Sequence, residues 1–335
     1  MQLNEIPAPS AFGSSPCEGR GRLGGGAPST DTSQQEPAPH PNPPLRSEGR
    51  EQQLWFDGEL IEHGSLQATL STHAMHYGSG VFEGIRAYAT GDGAAVFRLP
   101  EHLERMRKGC ELLGMDFDIA RATEAVLATL RANREGDAYI RPLAWYGDGG
   151  FGLDVTGRAH HLMVATSATN LHLNGGRTRV SVSKWRRNPA SSLPPLKLCG
   201  AYVNSILAKR EAKSRGFDEA MFTDRAGNVV ECTGANLFMV KDGNIVAIEH
   251  PDALPGITRD SLIALTGASS RMATLEELLD ADEVFACGTA AEVAPISQVE
   301  EREYGSSPVT RAIAAQYQRV VRGEEASYRH WLTAV

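Results

Sequence analysis

The stretch Leu193-Pro194-Pro195-Leu196-Lys197-Leu198-Cys199-Gly200-Ala201-Tyr202 sets one lysine among leucines, directly after two prolines. The prolines hold the approach extended. A periodic run from Ala201 to Ser214 then predicts a helix. The chain has only six lysines, at positions 108, 184, 197, 209, 213 and 241. Lys108, Lys209 and Lys213 fall among charges on helical patterns, and Lys241 precedes an Asp-Gly turn. Lys184, in a strand-like run, is the one rival. A lysine in apolar company is costly to keep charged, so its pKa is expected to fall and its free amine becomes a nucleophile. The plain alternative is a stem that snorkels along the surface.

Downstream of the lysine helix the pattern predicts strands at Glu219–Thr223 and Asn236–Val240, with a turn at Arg225-Ala226-Gly227-Asn228. Asp242-Gly243-Asn244 turns into a strand at Ile245–Ile248. Helices are expected at about 258–267 and 275–281, then a strand Glu283–Cys287, the turn Gly288-Thr289-Ala290-Ala291, and a closing helix over 308–322. Upstream, Val180 and Val182 alternate with polar residues in Arg179–Trp185, as on a half-buried strand.

The first half mixes hairpins with helices and reads as α+β. Its order begins at Leu54–Ile61, a hairpin about Asp57-Gly58. A second hairpin, 80–90 with 94–99, turns at Gly91-Asp92-Gly93. Pro100 opens a helix through about Leu113, with Leu103, Met106, Cys110 and Leu113 at helical spacing. A further helix over 120–134 precedes strands Ala138–Tyr146 and Leu162–Ser167. Between those strands, Gly147-Asp148-Gly149-Gly150-Phe151-Gly152 is a literal G-x-G-x-x-G. No helix start follows it, so it reads as a glycine-rich turn and not as a dinucleotide fingerprint.

Residues 1–50 hold nine of the 18 prolines, a Gly-Gly-Gly run and no apolar periodicity, which predicts a disordered tail. Order is expected as a small domain over 51–170, an interdomain loop at 171–178 and a larger domain over 179–335. The composition, 41% hydrophobic and 22% charged, is that of a globular protein, and a net charge of -8 argues against nucleic acid. No run approaches a membrane span. Five cysteines without a C-x-x-C fit a reducing cytoplasm with free thiols. His73 and His76 form an H-x-x-H, but no third ligand follows at metal spacing, so no metal is expected.

Four further stretches carry chemistry. His76-Tyr77-Gly78-Ser79-Gly80-Val81-Phe82-Glu83-Gly84-Ile85-Arg86 brings three glycines and an arginine able to fork onto phosphate or carboxylate. In Ala138-Tyr139-Ile140-Arg141-Pro142 the period of two puts Tyr139 and Arg141 on one face. Glu231 follows the apolar pair Val229-Val230, where a carboxylate must be paired. Leu254-Pro255-Gly256-Ile257-Thr258-Arg259-Asp260 runs from a Pro-Gly turn into a helix, whose free N–H groups make an anion seat. Gly288-Thr289-Ala290-Ala291 offers a second seat. A lysine nucleophile, an isolated acid and two anion seats are what pyridoxal 5′-phosphate requires.

These motifs, with Glu292 after the last, resemble the class IV pyridoxal-phosphate enzymes, and within them the branched-chain amino acid aminotransferases. The likeness runs from about Leu54 to the C-terminus. It implies a two-domain fold of the D-amino-acid-aminotransferase type (fold-type IV). It implies Lys197 as Schiff-base lysine and proton shuttle, Glu231 on the pyridine nitrogen and Tyr202 on the ring hydroxyl. Arg86, Ile257, Thr258 and Thr289 would hold the phosphate, with Leu254 packed on the ring. Thr289 and Ala290 would take the substrate α-carboxylate. Phe82, Gly84, Tyr139 and Arg141 would line the side-chain pocket, together with Tyr77 from a neighbouring subunit of a homo-oligomer. Leu153, Leu198, Ala201, Cys232 and the segment Thr169–Leu173 depart from the family pattern.

The implied reaction passes amino groups between L-branched-chain amino acids and 2-oxoglutarate. D-amino acid transamination and 4-amino-4-deoxychorismate lysis are the alternatives on the same fold. A non-catalytic binding protein is the alternative of another class.

Overall fold

The computed structural model describes residues 52–168 and 178–335, so the expected tail and nearly all of the expected interdomain loop lie outside the described residues. The chain opens with a hairpin of β1 (Gln53–Phe56) and β2 (Glu59–Glu62), turning where Asp57 and Gly58 take positive φ. A five-residue helix α1 (His73–Tyr77) ends at Gly78 in the left-handed region and leads to β3 (Gly80–Phe82). The second hairpin pairs β4 (Ile85–Thr90) with β5 (Gly93–Phe97). It is shorter than the sequence suggests, because 80–82 pairs separately with β6 (Ala138–Tyr146) and the next helix has begun by Leu99. That helix, α2 (Leu99–Leu112), buries Leu103, Met106 and Cys110 as expected. Helix α3 (Ile119–Asn133) starts at Asp118, whose side chain accepts from the Ala120 and Arg121 N–H groups. Strand β7 (His160–Ala168) completes this sheet, in which β6 and β7 pair over nine residues. Its core packs Ile85, Val96, Ile140 and Val164 against Leu103, Val126 and Leu130 of the helices.

The second sheet begins with β8 (Thr178–Val182). The expected alternation fails here: Val180, Ser181 and Ser183 are all buried, and the strand stops at Val182. The reason is that β8 is an interior strand, running parallel to β9 (Glu219–Thr223) and β15 (Glu292–Val299) with both faces covered. Lys184 lies beyond the strand end, exposed beside Trp185, and is no rival to Lys197. Helix α4 (Tyr202–Ser214) packs Ala208 and Ala212 on Phe222 of β9.

Glu231 sits on a strand the sequence did not announce, β10 (Val229–Cys232), whose pairing with β9 shifts register between Val229 and Cys232. The remaining elements are β11 (Asn236–Lys241), β12 (Asn244–Ile248), helix α5 (Ile257–Thr266), β13 (Ser269–Arg271), helix α6 (Leu275–Leu279) and β14 (Glu283–Gly288). The eight-residue β15 was hidden by Pro295, which demotes a run as a strand. Its ladder with β8 starts only at Ile296, so Pro295 pairs with Phe285 alone. After β16 (Arg302–Glu303) and helix α7 (Pro308–Val321), β17 (Leu332–Ala334) returns to the edge of the first sheet beside β5. The far end of the chain therefore joins the first sheet, at the edge opposite β1 and β2. Among the described residues no helix is long and apolar enough to cross a membrane.

Candidate active site

The lysine loop is stapled to the first sheet through its backbone. The Phe82 N–H donates to the Lys197 carbonyl at 3.2 Å, and Val81 and Leu198 form an isolated bridge. The Gly200 N–H donates to the Gly78 carbonyl at 3.1 Å. That approach requires glycine at position 78, where φ is positive and a Cβ would lie 2.7 Å from Gly200 Cα. Leu198 and Ala201 anchor the loop among Val81, Met106 and Cys110. With the main chain held, Lys197 Nζ donates to the Tyr202 hydroxyl at 2.7 Å and lies 4.9 Å from the centre of the Phe82 ring. A single turn of 3-10 helix, Cys199–Ala201, brings Tyr202 round to the lysine.

Glu231 lines the same cleft, with a side chain only 6% exposed. Its Oε1 lies 2.9 Å from Arg187 Nε. Its Oε2 accepts from the Leu254 N–H at 3.1 Å and from Asn236 Nδ2 at 3.3 Å. Burial pushes the Glu231 carboxyl up to about 6, against the pull of Arg187, the Leu254 N–H and Lys197. Asn236 also donates to the Leu254 carbonyl at 3.0 Å. Gly256 must be glycine there, because a Cβ would fall 1.9 Å from Asn236 Oδ1. Gly256 is the N-cap of α5 and supplies no side-chain cap, so the first N–H groups of that helix open on the cleft at Ile257 and Thr258. Gly288, Thr289 and Ala290, where β14 gives way to β15, form the opposite small-residue turn of the lining.

Ten sequence-predicted site residues share this lining: Gly84, Tyr139, Lys197, Tyr202, Glu231, Leu254, Ile257, Thr258, Thr289 and Ala290. Gly84 stands against Tyr139, whose hydroxyl would meet a Cβ at 2.2 Å. Tyr139 and Arg141 share the half-buried face of β6 as the alternation predicted, and Arg141 donates to the Tyr139 hydroxyl at 2.7 Å. The Arg141 guanidinium rides 4.8 Å over the Phe82 ring, and its buried Nε has no acceptor. Phe82 packs edge-on to Tyr202.

Two predicted residues stand apart. Tyr77 is 42% exposed, and its hydroxyl accepts from the Gly152 N–H. Arg86 is buried and does not line the cleft: Nη1 lies 2.7 Å from Glu292 Oε1, yet no N–H of Nε or Nη1 points along a hydrogen bond. His73 and His76 use their rings on Ser79, Gly152 and Leu70. Sequence reasoning missed Arg105, Arg187 and Asn236, all of which line the cleft. None of the three carries a local signal: the arginines stand among polar residues, and Asn236 opens a strand like any turn residue.

This lining fits pyridoxal 5′-phosphate. A lysine amine, a buried acid with incomplete pairing and an uncapped helix N-terminus meet the amine, ring and anion demands of that group. The class IV amino-transferase family model matches residues 80–299, and the chain belongs to that family. Its fold is that of fold-type IV enzymes, and its cofactor is pyridoxal 5′-phosphate.

Within the class it falls with the branched-chain-amino-acid aminotransferases. The Pseudomonas aeruginosa enzyme of that name is 38% identical over 298 residues, covering 84% of this chain and 97% of that one. The crystal structure of the branched-chain aminotransferase from Thermoproteus uzoniensis with norvaline superposes with a TM-score of 0.81 at 37% identity, covering 85% of this chain and 99% of that one. The branched-chain amino acid aminotransferase from Thermobaculum terrenum, crystallised in its PLP-form, gives a TM-score of 0.78 at 32% identity, covering 84% of this chain and 98% of that one.

Proposed function

We propose that the chain passes amino groups between L-branched-chain amino acids (leucine, isoleucine, valine) and 2-oxoglutarate. The observation that carries this reading is the pairing of Lys197 Nζ with the Tyr202 hydroxyl in one cleft with Glu231 and the α5 N-terminus. When bound, pyridoxal 5′-phosphate supplies an electron sink and the carbon that exchanges oxygen for nitrogen. Lys197 would hold the group, then use its free amine to take the substrate Cα proton and return it at C4′. Tyr202 orients that amine and would hydrogen-bond the ring hydroxyl. Glu231 would hold the proton on the ring nitrogen, and Leu254 would pack on the ring. The N–H groups at Ile257 and Thr258, with Thr289, would seat the phosphate; Arg86, outside the lining and held at Glu292, has no such contact to offer here. Thr289 and Ala290 would take the α-carboxylate.

Phe82, Gly84 and Tyr139 make an apolar pocket wall suited to an aliphatic side chain. Arg141, with its unpartnered Nε, supports acceptance of the second carboxylate of glutamate in the same pocket. Tyr77 does not line the cleft of its own chain and is exposed, as are Leu70, Met75, Phe151 and Leu153. This supports a homo-oligomer in which Tyr77 completes the pocket of a second copy. A cytoplasmic setting agrees with four free cysteines among the described residues. The two sheets support a division into domains over 51–170 and 179–335, save that β17 (Leu332–Ala334) crosses back to the first sheet.

The test is the near-visible absorbance of the purified holoenzyme, recorded before and after L-leucine and again after 2-oxoglutarate. The band should be lost with leucine and restored by the oxo acid. A band indifferent to leucine but responsive to another amine would reject the donor class.

A further inference from the structure

The hairpin that joins β14 to β15 closes on an acid that the proposed reaction does not use. Gly288 and Glu292 are partners across the ladder, so Thr289, Ala290 and Ala291 form the loop between them. Thr289 and Ala290 line the cleft, while Ala291 is buried in the core of the second sheet. Glu292 has a φ of 54°, in the left-handed region that favours glycine. One left-handed residue after a short loop returns the chain to its ladder. Asp57 and Asp242 also take positive φ in hairpins, but both are exposed, whereas Glu292 is buried.

The side chain of Glu292 holds this conformation from outside the hairpin. Its Oε1 accepts from the Tyr88 hydroxyl at 2.9 Å and lies 2.7 Å from Arg86 Nη1. Its Oε2 accepts from Gln318 Nε2 at 2.8 Å. Arg86 and Tyr88 stand on β4 of the first sheet, and Gln318 stands on α7. Burial, with Tyr317 and Glu292 beside it, holds the Tyr88 hydroxyl well above its ordinary pKa, so it stays protonated and donates. Strained backbone persists only where its surroundings over-determine it, and three partners from two other elements do so here.

We propose that Glu292 is a positioning residue: its anchored carboxylate fixes the turn that presents Thr289 and Ala290 to the substrate α-carboxylate, with Arg86 as its counter-ion. The proposal rests on the reading of that turn as the carboxylate seat. The substrate carboxylate keeps its charge throughout the reaction, so a seat for it binds ground and transition states alike. Loss of the anchor is therefore felt in the affinity for carboxylates and not in the chemical step.

The experiment compares the holoenzyme with Glu292→Gly. Glycine meets the left-handed φ without strain but carries no anchor. Binding of 4-methylvalerate, a leucine-shaped acid without an amine, and of its uncharged amide is followed through the absorbance of the cofactor. The variant should bind the acid about tenfold or more weakly and the amide within about twofold of wild type. In steady state the KM for leucine should rise by about tenfold or more while kcat stays within about threefold. Unchanged affinity for the acid would show that the backbone sets the turn unaided, and would overturn the proposal. Equal losses for acid and amide would overturn it as well. If Glu292→Gly does not fold because Arg86 is left buried and unpaired, the double variant Arg86→Met with Glu292→Gly removes that charge and is read by the same ratio. A wild-type holoenzyme that binds the acid no better than the amide would instead defeat the reading of the turn as carboxylate seat, and the two failures are thereby distinguished.

Discussion

Glu83 and Glu231 are both buried carboxylates beside the cleft, and each faces an arginine. Glu83 takes both arms of the Arg105 fork, His102 and a backbone N–H. Burial alone would raise its pKa, but Arg105 and His102 outweigh it and hold Glu83 well below the usual carboxylate range. Glu231 meets Arg187 through one nitrogen, at 2.9 Å, plus one N–H and a long bond from Asn236. Burial prevails there, and the carboxyl sits at about 6. The same two residue types thus yield a saturated acid that serves structure and an under-paired acid with capacity left for a ligand's proton.

The largest effect should come from breaking the saturated pair. Glu83→Gln leaves the Arg105 charge buried without its partner and should cost about 3–5 kcal/mol of stability, measured by urea unfolding of the holoenzyme. A loss below about 1 kcal/mol would erase the contrast. Glu231→Gln should act on chemistry instead. Turnover at saturating cofactor should fall about a hundred- to thousandfold, with cofactor affinity changed far less. Unchanged turnover in steady-state assays would remove Glu231 from the ring-nitrogen role.

The smallest effect sharpens the electrostatic half of the comparison. The Glu231 carboxyl of the cofactor-free protein should titrate near 6 by infrared difference spectroscopy, protonated below and ionised above. Arg187 opposes burial, so Arg187→Met should move that midpoint upward by about one unit or more. A downward shift would show that the arginine does not face the acid in solution. Because the folded value exceeds the ordinary one, Glu231 favours the folded state below pH 4.5. That contribution is lost as pH rises through about 6.

The elements that could be read in advance are those whose pattern is local. Strand β6, helices α2, α3, α4 and α7, and the turns at Asp57-Gly58 and Asp242-Gly243 follow from periodicity and turn chemistry within a few residues of their observed bounds. The misreadings share a cause. Strand β15 was hidden by Pro295 and the burial of β8 was misjudged, because both depend on which neighbours the sheet supplies. Of the site, the lysine, its tyrosine, the acid and both small-residue turns were visible as unusual residue types in unusual company. Arg105 and Arg187 were not, since an arginine among polar residues looks the same whether it faces water or a buried carboxylate.

The order of residues was enough to supply the inventory: one lysine held among leucines, one acid behind an apolar pair, and glycines where chains must approach. The pairing came from the folded arrangement. Which arginine saturates which carboxylate depends on helix α2 reaching the turn before α5, across 150 positions of sequence. Electrostatics falls off with distance in space, and burial is set by the whole fold, so neither is written in any local stretch.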